Sequence, residues 1–351
     1  MKIEANVLHD HMIGAVADDV PQWFLNLLGV SEPLLACREI NGSPCVFSDG
    51  ILRIHDNCSV EQEQTKESFG FKWSKKETFE SDTMLARMRA WLISRYGDVH
   101  EILSCFPDRP VLLDAGCGAG MSAIELWGEH FNHVNYLGID VSTAVDVCRE
   151  RMLARQFANA AFMQADITKL PLPARSVDII FSEGVMHHTD DTRKTFVSLA
   201  SLLKPNGFFM FYIYNKKGPI REFVDDYIRA KLQQMPPEEA WEAVKPLTKL
   251  GKILGELDIT IRVPEGIELL DIPAGEINLQ RLFYWHIFKA YYHPSLSLEE
   301  MNHINYDWYA PSNAHRHTFA EVQEWCQDMS MEVVRHVIEP AGITVVARKK
   351  S

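Results

Sequence analysis

The stretch VLLDAGCGAG, Val111 to Gly120, is the most informative in this 351-residue chain. Glycines placed after a first strand let the backbone approach a ligand closely and lead into a helix N-terminus that favours anions. Here Gly116, Gly118 and Gly120 alternate, with Met121 where a dinucleotide fingerprint needs its third glycine. Asp114 stands two residues before the first of them, a poor neighbour for a pyrophosphate and a good one for an ammonium group. Asp140 closes the next apolar run and Asp166 the one after it. An acid at a strand's carboxyl end can accept both hydroxyls of a ribose, and Asp166, in QADI, is positioned to meet an exocyclic adenine amine. Three acids at three successive strand ends, framed by a glycine loop, suit a nucleoside with a cationic tail. S-adenosylmethionine is such a molecule.

The elements that must position these residues are short apolar runs. PVLLDAG, VNYLGID, AFMQAD, SVDIIFS and GFFMFYIY recur with helical segments between most of them, the alternation of a parallel sheet with helices on both faces. DTRKTFVSLASLLK has helical periodicity that stops at Pro205, with Asn206-Gly207 turning into the next strand. Earlier in the chain, QWFLNLLGV reads as a short amphipathic helix and PCVFSDGILRIHD as a hairpin turning at Asp49-Gly50. The polar stretch NCSVEQEQTKES then leads to the aromatic cluster FGFKW, and apolar residues recur at helical spacing from Ser81 to about Ile102. From Asn215 to about Ala310 the chain is mostly helical and aromatic-rich. A helix, TFAEVQEWCQDM, and two strands, MEVVRHVIE and GITVVARKK, follow, the strands antiparallel across Pro340-Ala341-Gly342. The expected organisation is an N-terminal cap region over 1–107, a sheet domain over 108–214 and 318–351, and a helical lid inserted over 215–317. So long a segment is not a plain loop.

Residues 108–214 resemble the class I S-adenosylmethionine-dependent methyltransferases, through D-x-G-x-G-x-G from Asp114 to Gly120 and the acid in LGIDVS. QADITKLPLPARSVDIIFS and SEGVMHHTDD are similar to the small-molecule and lipid methyltransferases of the ubiquinone-methyltransferase type. The resemblance implies an α/β, Rossmann-like doubly wound sheet of seven strands in the order 3-2-1-4-5-7-6, with strand 7 antiparallel. The lid then enters after strand 5. It also implies that Asp114, Gly116, Gly118 and Gly120 line the methionyl part of S-adenosylmethionine, with Cys117 as a small loop residue. Asp140 would hold the ribose, Val141 and Ser142 would flank the adenine, and Asp166 with Ile167 would read it. Glu183, Gly184, Val185 and His188 would close the methyl-donor side.

Methyl transfer is an in-line displacement at carbon, so the protein must hold the nucleophile opposite the departing sulfur and exclude water. A hydroxyl, protonated amine or thiol acceptor also needs a base, whereas a thioether needs none. His187 and His188 lie just past the fourth strand, and His188 is the stronger candidate. HINYDWYAPSNAHRHT, just before a helix, offers His303, Tyr306, Tyr309 and His315 as catalytic candidates, with Asp307, Asn313, Arg316 and His317 among them; the plainer alternative is a loop capped by Thr318 with its aromatics buried. FGFKW is expected to fold over the donor through Phe71 or Trp73, since aromatic faces stabilise a sulfonium. QRLFYWHIFKAYY puts Leu282, Phe283, His286 and Lys289 or Ala290 near one face of a helix, and His286 reads as a core histidine.

Composition narrows the rest. Thirty-five Lys and Arg against 48 Asp and Glu leave a net charge of −13, which argues against a nucleic-acid partner, although Lys216-Lys217 and the C-terminal RKK could form a local patch. FFMFYIY from Phe208 is the longest apolar run, against roughly 18 residues for a membrane span. MKIEANVLHDHMIGAV carries Glu4, His9, Asp10 and His11 where a signal peptide needs apolar residues. Seven Cys without a C-x-x-C pair read as reduced thiols of a cytoplasmic protein. No metal is expected: Cys37 and Cys45 are too far apart for one zinc knuckle, and His315-x-His317 lacks further ligands at metal spacing. The favoured reading is an S-adenosylmethionine-dependent methyltransferase with a small-molecule or lipid-like acceptor. An RNA or protein methyltransferase and a non-catalytic S-adenosylmethionine-binding protein remain as alternatives.

Overall fold

The computed structural model describes residues 20–31, 33–55 and 58–351. The polar start that argued against a signal peptide lies outside the described residues. Among these, β1 (Glu39–Ile40), β2 (Ser43–Ser48), β3 (Ile51–Ile54), β4 (Val111–Ala115), β5 (Asn135–Asp140), β6 (Ala160–Gln164), β7 (Val177–Glu183) and β8 (Leu203–Tyr214) come first. A separate hairpin follows, β9 (Thr260–Val263) with β10 (Gly275–Asn278), then β11 (Met331–Ile338) and β12 (Gly342–Lys349). The main sheet runs β1-β2-β3-β6-β5-β4-β7-β8-β12-β11. Its stretch from β6 to β11 has the order 3-2-1-4-5-7-6. β4 to β8 are parallel, and β12 is antiparallel to both β8 and β11.

The parallel strands are apolar because helices cover both faces. Leu113, Leu137, Ile180 and Phe209 point into one core, and their neighbours Leu112, Tyr136, Ile179 and Met210 into the other. Ligand-facing groups therefore collect at the carboxyl edge, beyond Ala115, Asp140 and Glu183.

The hairpin expected near Asp49-Gly50 forms, with positive φ at both residues (55° and 72°) as a tight two-residue turn requires. It lengthens the sheet: Leu52 and Arg53 pair with Met163 and Gln164 of β6. The polar stretch after it is a helix, Val60–Ser74, capped by the Ser59 side chain, and FGFKW is its last part. Few apolar residues mark it because its inward face buries Gln62, Thr65, Ser68 and Lys72. Helix Thr192–Leu202 ends as expected, but β8 begins at once, with Leu203 paired to Val177, so Pro205-Asn206-Gly207 lies inside an irregular strand start.

The inserted segment holds helices Pro219–Leu232, Pro237–Glu256, Leu279–His286 and Leu298–Tyr309. Two features of this segment shape the site. The helix expected through Tyr292 ends at His286, and HINYDWY, inside the stretch read as mostly helical to about Ala310, closes helix Leu298–Tyr309. A capping box of Ser297 and Glu300 starts the latter. The β9–β10 hairpin was not foreseen, since four-residue strands are too short to show a period of two. No helix of the described residues is long and apolar enough to cross a membrane.

Candidate active site

A cavity of about 460 Å³ opens between the carboxyl edge of the sheet and the helices on either side. Its floor is the glycine loop. Gly116 and Cys117 donate their backbone N–H to the Ile139 carbonyl at 2.8 Å, and Gly118 N–H to Asp140 Oδ2 at 2.9 Å. A Cβ at Gly116, where φ is +86°, would lie 2.2 Å from Val185, and one at Gly118 would lie 3.1 Å from the Trp73 indole. The loop is therefore pressed between β7's exit and the Val60–Ser74 helix.

Asp114 is buried and Asp140, Asp166 and Glu183 are half-buried around this floor, with few cations beside them. Asp114 accepts Tyr136 OH at 2.7 Å, and burial lifts its carboxyl to about 7 against that hydrogen bond. Glu183 accepts Tyr96 OH, and burial lifts it to about 8 while Tyr96 and Arg95 pull the other way. Asp140 is raised by burial too, and three donors hold it: Ser142 N–H and Oγ–H on Oδ1, Gly118 N–H on Oδ2. That leaves one of its roughly four acceptor positions, enough for one ribose hydroxyl until Ser142 turns away. Asp166 takes Thr168 N–H at 2.8 Å and also lines the cavity. Asp114 shares no ion pair among the described residues, so its carboxyl suits a ligand that brings its own cation. These residues fit a nucleoside with an ammonium or sulfonium tail.

Two neutral histidines face the same space. His188 Nδ1 meets the Asn313 carbonyl at 2.6 Å; a carbonyl only accepts, so Nδ1 carries the proton and Nε2 is a free acceptor. Burial drives this ring down to about 4, partly offset by Asp307. His303 Nδ1 meets Thr78 Oγ1 at 2.7 Å, and Thr78 donates its own proton to the Lys75 carbonyl, so Nδ1 is again the donor. Burial takes His303 to about 3. Between them lies an ion pair of Lys72 with Asp307, whose second oxygen accepts Tyr214 OH at 3.2 Å. Burial opposes the Asp307 charge, yet Lys72, His188 and Lys289 hold the carboxyl well below the usual range.

Residues 108–255 match the family model described as a methyltransferase domain. The chain carries a class I S-adenosylmethionine-dependent methyltransferase domain. A malonyl-[acyl-carrier protein] O-methyltransferase of Serratia marcescens is 30% identical over 139 residues, 40% of this chain and 49% of that protein. Its counterpart from Methylovorus is 30% identical over 107 residues, 28% of this chain and 35% of that protein. The chain thus spans about half the length, or less, of these curated relatives. Among solved structures, a SAM-dependent methyltransferase from Aquifex aeolicus aligns with 79% of this chain and 97% of its own at 15% identity and a TM-score of 0.39.

Within the methyltransferase domain, Asp114, Gly116, Cys117, Gly118, Asp140, Val141, Asp166, Ile167, Glu183, Gly184, Val185 and His188 all line the cavity, joined by Trp73 and His303 from outside it. Other expected residues do not reach it. Gly120 instead starts helix Met121–Trp127, where a Cβ would lie 2.7 Å from Cys148 Sγ, and Ser142 acts on Asp140. Phe71 points away from Trp73 on their helix and packs on Trp241 and Tyr306. Helix Leu298–Tyr309 turns His303, Ile304, Asp307 and Trp308 to the cavity, so Tyr306 falls on the opposite side and Tyr309 is enclosed, donating to Asp225 at 3.0 Å. His315 lies beyond the helix end, its N–H tied to the His187 carbonyl. His187 is buried against the Tyr214 ring at 3.7 Å and touches no cavity surface.

Several cavity residues escaped the sequence reading. Lys72, buried inside FGFKW with its ammonium 4.0 Å from the Trp73 ring centre, was legible only as a lysine within an aromatic cluster. Lys217, read as part of a surface patch, turns inward onto the carbonyls of Asn215 and Ala341, while Lys216 stays exposed and pairs with Glu321. Lys289 reaches the cavity because the helix before it ends. Among the described residues, no three His, Cys, Asp or Glu side chains are grouped as a metal site requires.

Proposed function

We propose that the protein transfers the methyl group of S-adenosylmethionine to a small molecule enclosed between the sheet edge and the inserted 215–317 lid. One observation carries this reading: a single cavity joins the acids of the glycine-loop end and His188 to His303 and aromatics of the insert. A macromolecular acceptor asks for an open surface, and this space is walled by Trp285, Tyr291 and Trp308 as well as by the sheet.

When bound, S-adenosylmethionine supplies a methyl group activated by a sulfonium. Asp114 pairs with the methionyl ammonium, Asp140 accepts a ribose hydroxyl, and Asp166 with Ile167 receives the adenine. Trp73, above the glycine loop, covers the donor and turns an aromatic face to its charge. His188, held by the Asn313 carbonyl with Nε2 free, takes the acceptor's proton, and the nearby Asp307 charge stabilises the imidazolium that forms.

The test has two parts. Calorimetry should show S-adenosylhomocysteine binding to the wild type and a large loss in Asp140→Ala, with the fold retained by circular dichroism. Incubation of the protein with methyl-labelled S-adenosylmethionine and a cell extract should place the label in dialysable molecules. His188→Gln should lower that labelling by about 10²-fold, with donor affinity little changed. Label recovered in RNA or protein would overturn the small-molecule reading, and absence of donor binding would overturn methyl transfer itself.

A further inference from the structure

The far end of the cavity gathers positive charge on one indole. Around the Trp308 ring centre lie Lys289 Nζ at 4.8 Å, Lys217 Nζ at 5.1 Å and the Arg221 guanidinium carbon at 5.6 Å. All three side chains line the cavity, and Arg221 and Lys289 are more than nine-tenths buried. So much cationic charge is unusual for a chain of net charge −13.

The protein supplies too little negative charge to balance it. Asp225 answers Arg221, taking its Nε at 3.1 Å and Nη2 at 2.9 Å, and also receives Trp308 Nε1 at 2.9 Å and Tyr309 OH at 3.0 Å. It does not line the cavity, and with Arg221 Nη1 on the Tyr284 carbonyl the unanswered charges are those of Lys217 and Lys289. Asp307 is held by Lys72 and Tyr214. Lys217 has only neutral carbonyls for partners. The Lys289 ammonium makes no hydrogen bond or ion pair among the described residues, and burial lowers it to about 8. A buried ammonium is costly unless an anion arrives to pair with it.

The donor does not provide that anion at this end. Lys217 follows β8, whereas Asp114 and Asp140 end β4 and β5. β8 lies two strands from β4, and three from β5, in the order β5-β4-β7-β8, or about 10 Å and 14 Å at the usual strand spacing. The aromatic walls there, Tyr284, Trp285 and Trp308, suit a planar apolar body attached to a charged group.

We propose that Lys217 and Lys289, set against Trp308 beside the Asp225-paired Arg221, bind a carboxylate of the methyl acceptor, so that the acceptor is a small aromatic carboxylic acid. This rests on the methyl-transfer reading. The carboxylate is an anchor for the acceptor and turns the rest of the molecule toward His188 and the donor.

The experiment is calorimetric titration of the whole chain, saturated with S-adenosylhomocysteine, using benzoate, 4-hydroxybenzoate and indole-3-acetate, their uncharged amides, and phenyl phosphate. At least one carboxylate should bind at least about tenfold more tightly than its amide. Lys289→Met should remove that preference and Lys289→Arg should restore it, both with unchanged S-adenosylhomocysteine affinity. Lys217→Met serves as the second variant if Lys289→Met does not fold. Equal binding of acids and amides, no binding of any acid, or an unaltered preference in the folded Met variants overturns the proposal. Tighter binding of phenyl phosphate overturns the carboxylate, and weakened S-adenosylhomocysteine affinity in the Met variants assigns these cations to the donor. Failure of the wild type to bind S-adenosylhomocysteine is a different result, because it removes the methyl-transfer reading.

Discussion

At the scale of single residues, Asp114 shows how position converts a common side chain into a specific one. Its spacing before the glycines was legible in the sequence; its lack of a cationic partner and its hydrogen bond from Tyr136 were not, because Tyr136 comes from the next strand. The same limit hid Lys289, which becomes a cavity residue only once the chain leaves the helix at His286. With a carboxyl near 7, Asp114 is largely protonated at pH 6 and largely ionised at pH 8. An ammonium ligand needs the ionised form, so binding below that range must first release a proton. S-adenosylhomocysteine affinity should therefore fall by up to about eightfold between pH 7.5 and pH 6. Asp114→Asn should bind more weakly at pH 7.5 and lose most of this slope in calorimetric titrations across that range. A slope unchanged by the substitution would remove Asp114 from the ammonium site.

At the scale of elements, helix Leu298–Tyr309 sorts the residues that the sequence presented as one dense cluster. Types and density were readable there, but direction was not, since it depends on the chain being helical. Positions 303, 304, 307 and 308 share a face, and this separates His303 and Asp307 from Tyr306. Tyr309 acts through its neighbours: its hydroxyl donates to Asp225 and accepts the Lys289 N–H at 2.7 Å, tying the segment after His286 to the helix. Tyr309→Phe leaves that N–H without an acceptor, so thermal or denaturant unfolding should show a loss of about 1–3 kcal/mol. The displaced Lys289 should raise the acceptor KM and leave donor affinity alone. A variant with wild-type KM and lowered kcat would instead make Tyr309 a participant in the chemistry.

At the scale of the whole molecule, the alternation of strands and helices made the sheet order readable through the family resemblance, and the structure has that order. The extension by β1 to β3 was not readable, because a hairpin's sequence says nothing of the sheet edge it joins. Enclosing this site also sets how stability depends on pH. Asp114 and Glu183 are raised to about 7 and 8, so between the usual carboxylate range and those values the folded chain holds protons that the unfolded chain has lost. Each therefore adds stability as pH falls from 8 toward 6.5 and subtracts it as pH rises. His188 and His303 are lowered to about 4 and 3, so their contribution is complete above about 7.5 and declines as pH falls below it. The histidines begin to oppose the carboxyls below about 7.5, and Lys289, lowered to about 8, opposes them just below that value, so the Asp114 share of the slope is the part that Asp114→Asn removes. Over that interval the ligand-free wild type should accordingly gain on the order of 1 kcal/mol more than Asp114→Asn, read as a larger rise in melting temperature from pH 8 to pH 6.5. Saturating S-adenosylhomocysteine should reduce or reverse the difference, because its ammonium favours the ionised Asp114. Equal pH dependence with and without that ligand would mean that the buried acids and the donor do not share a site.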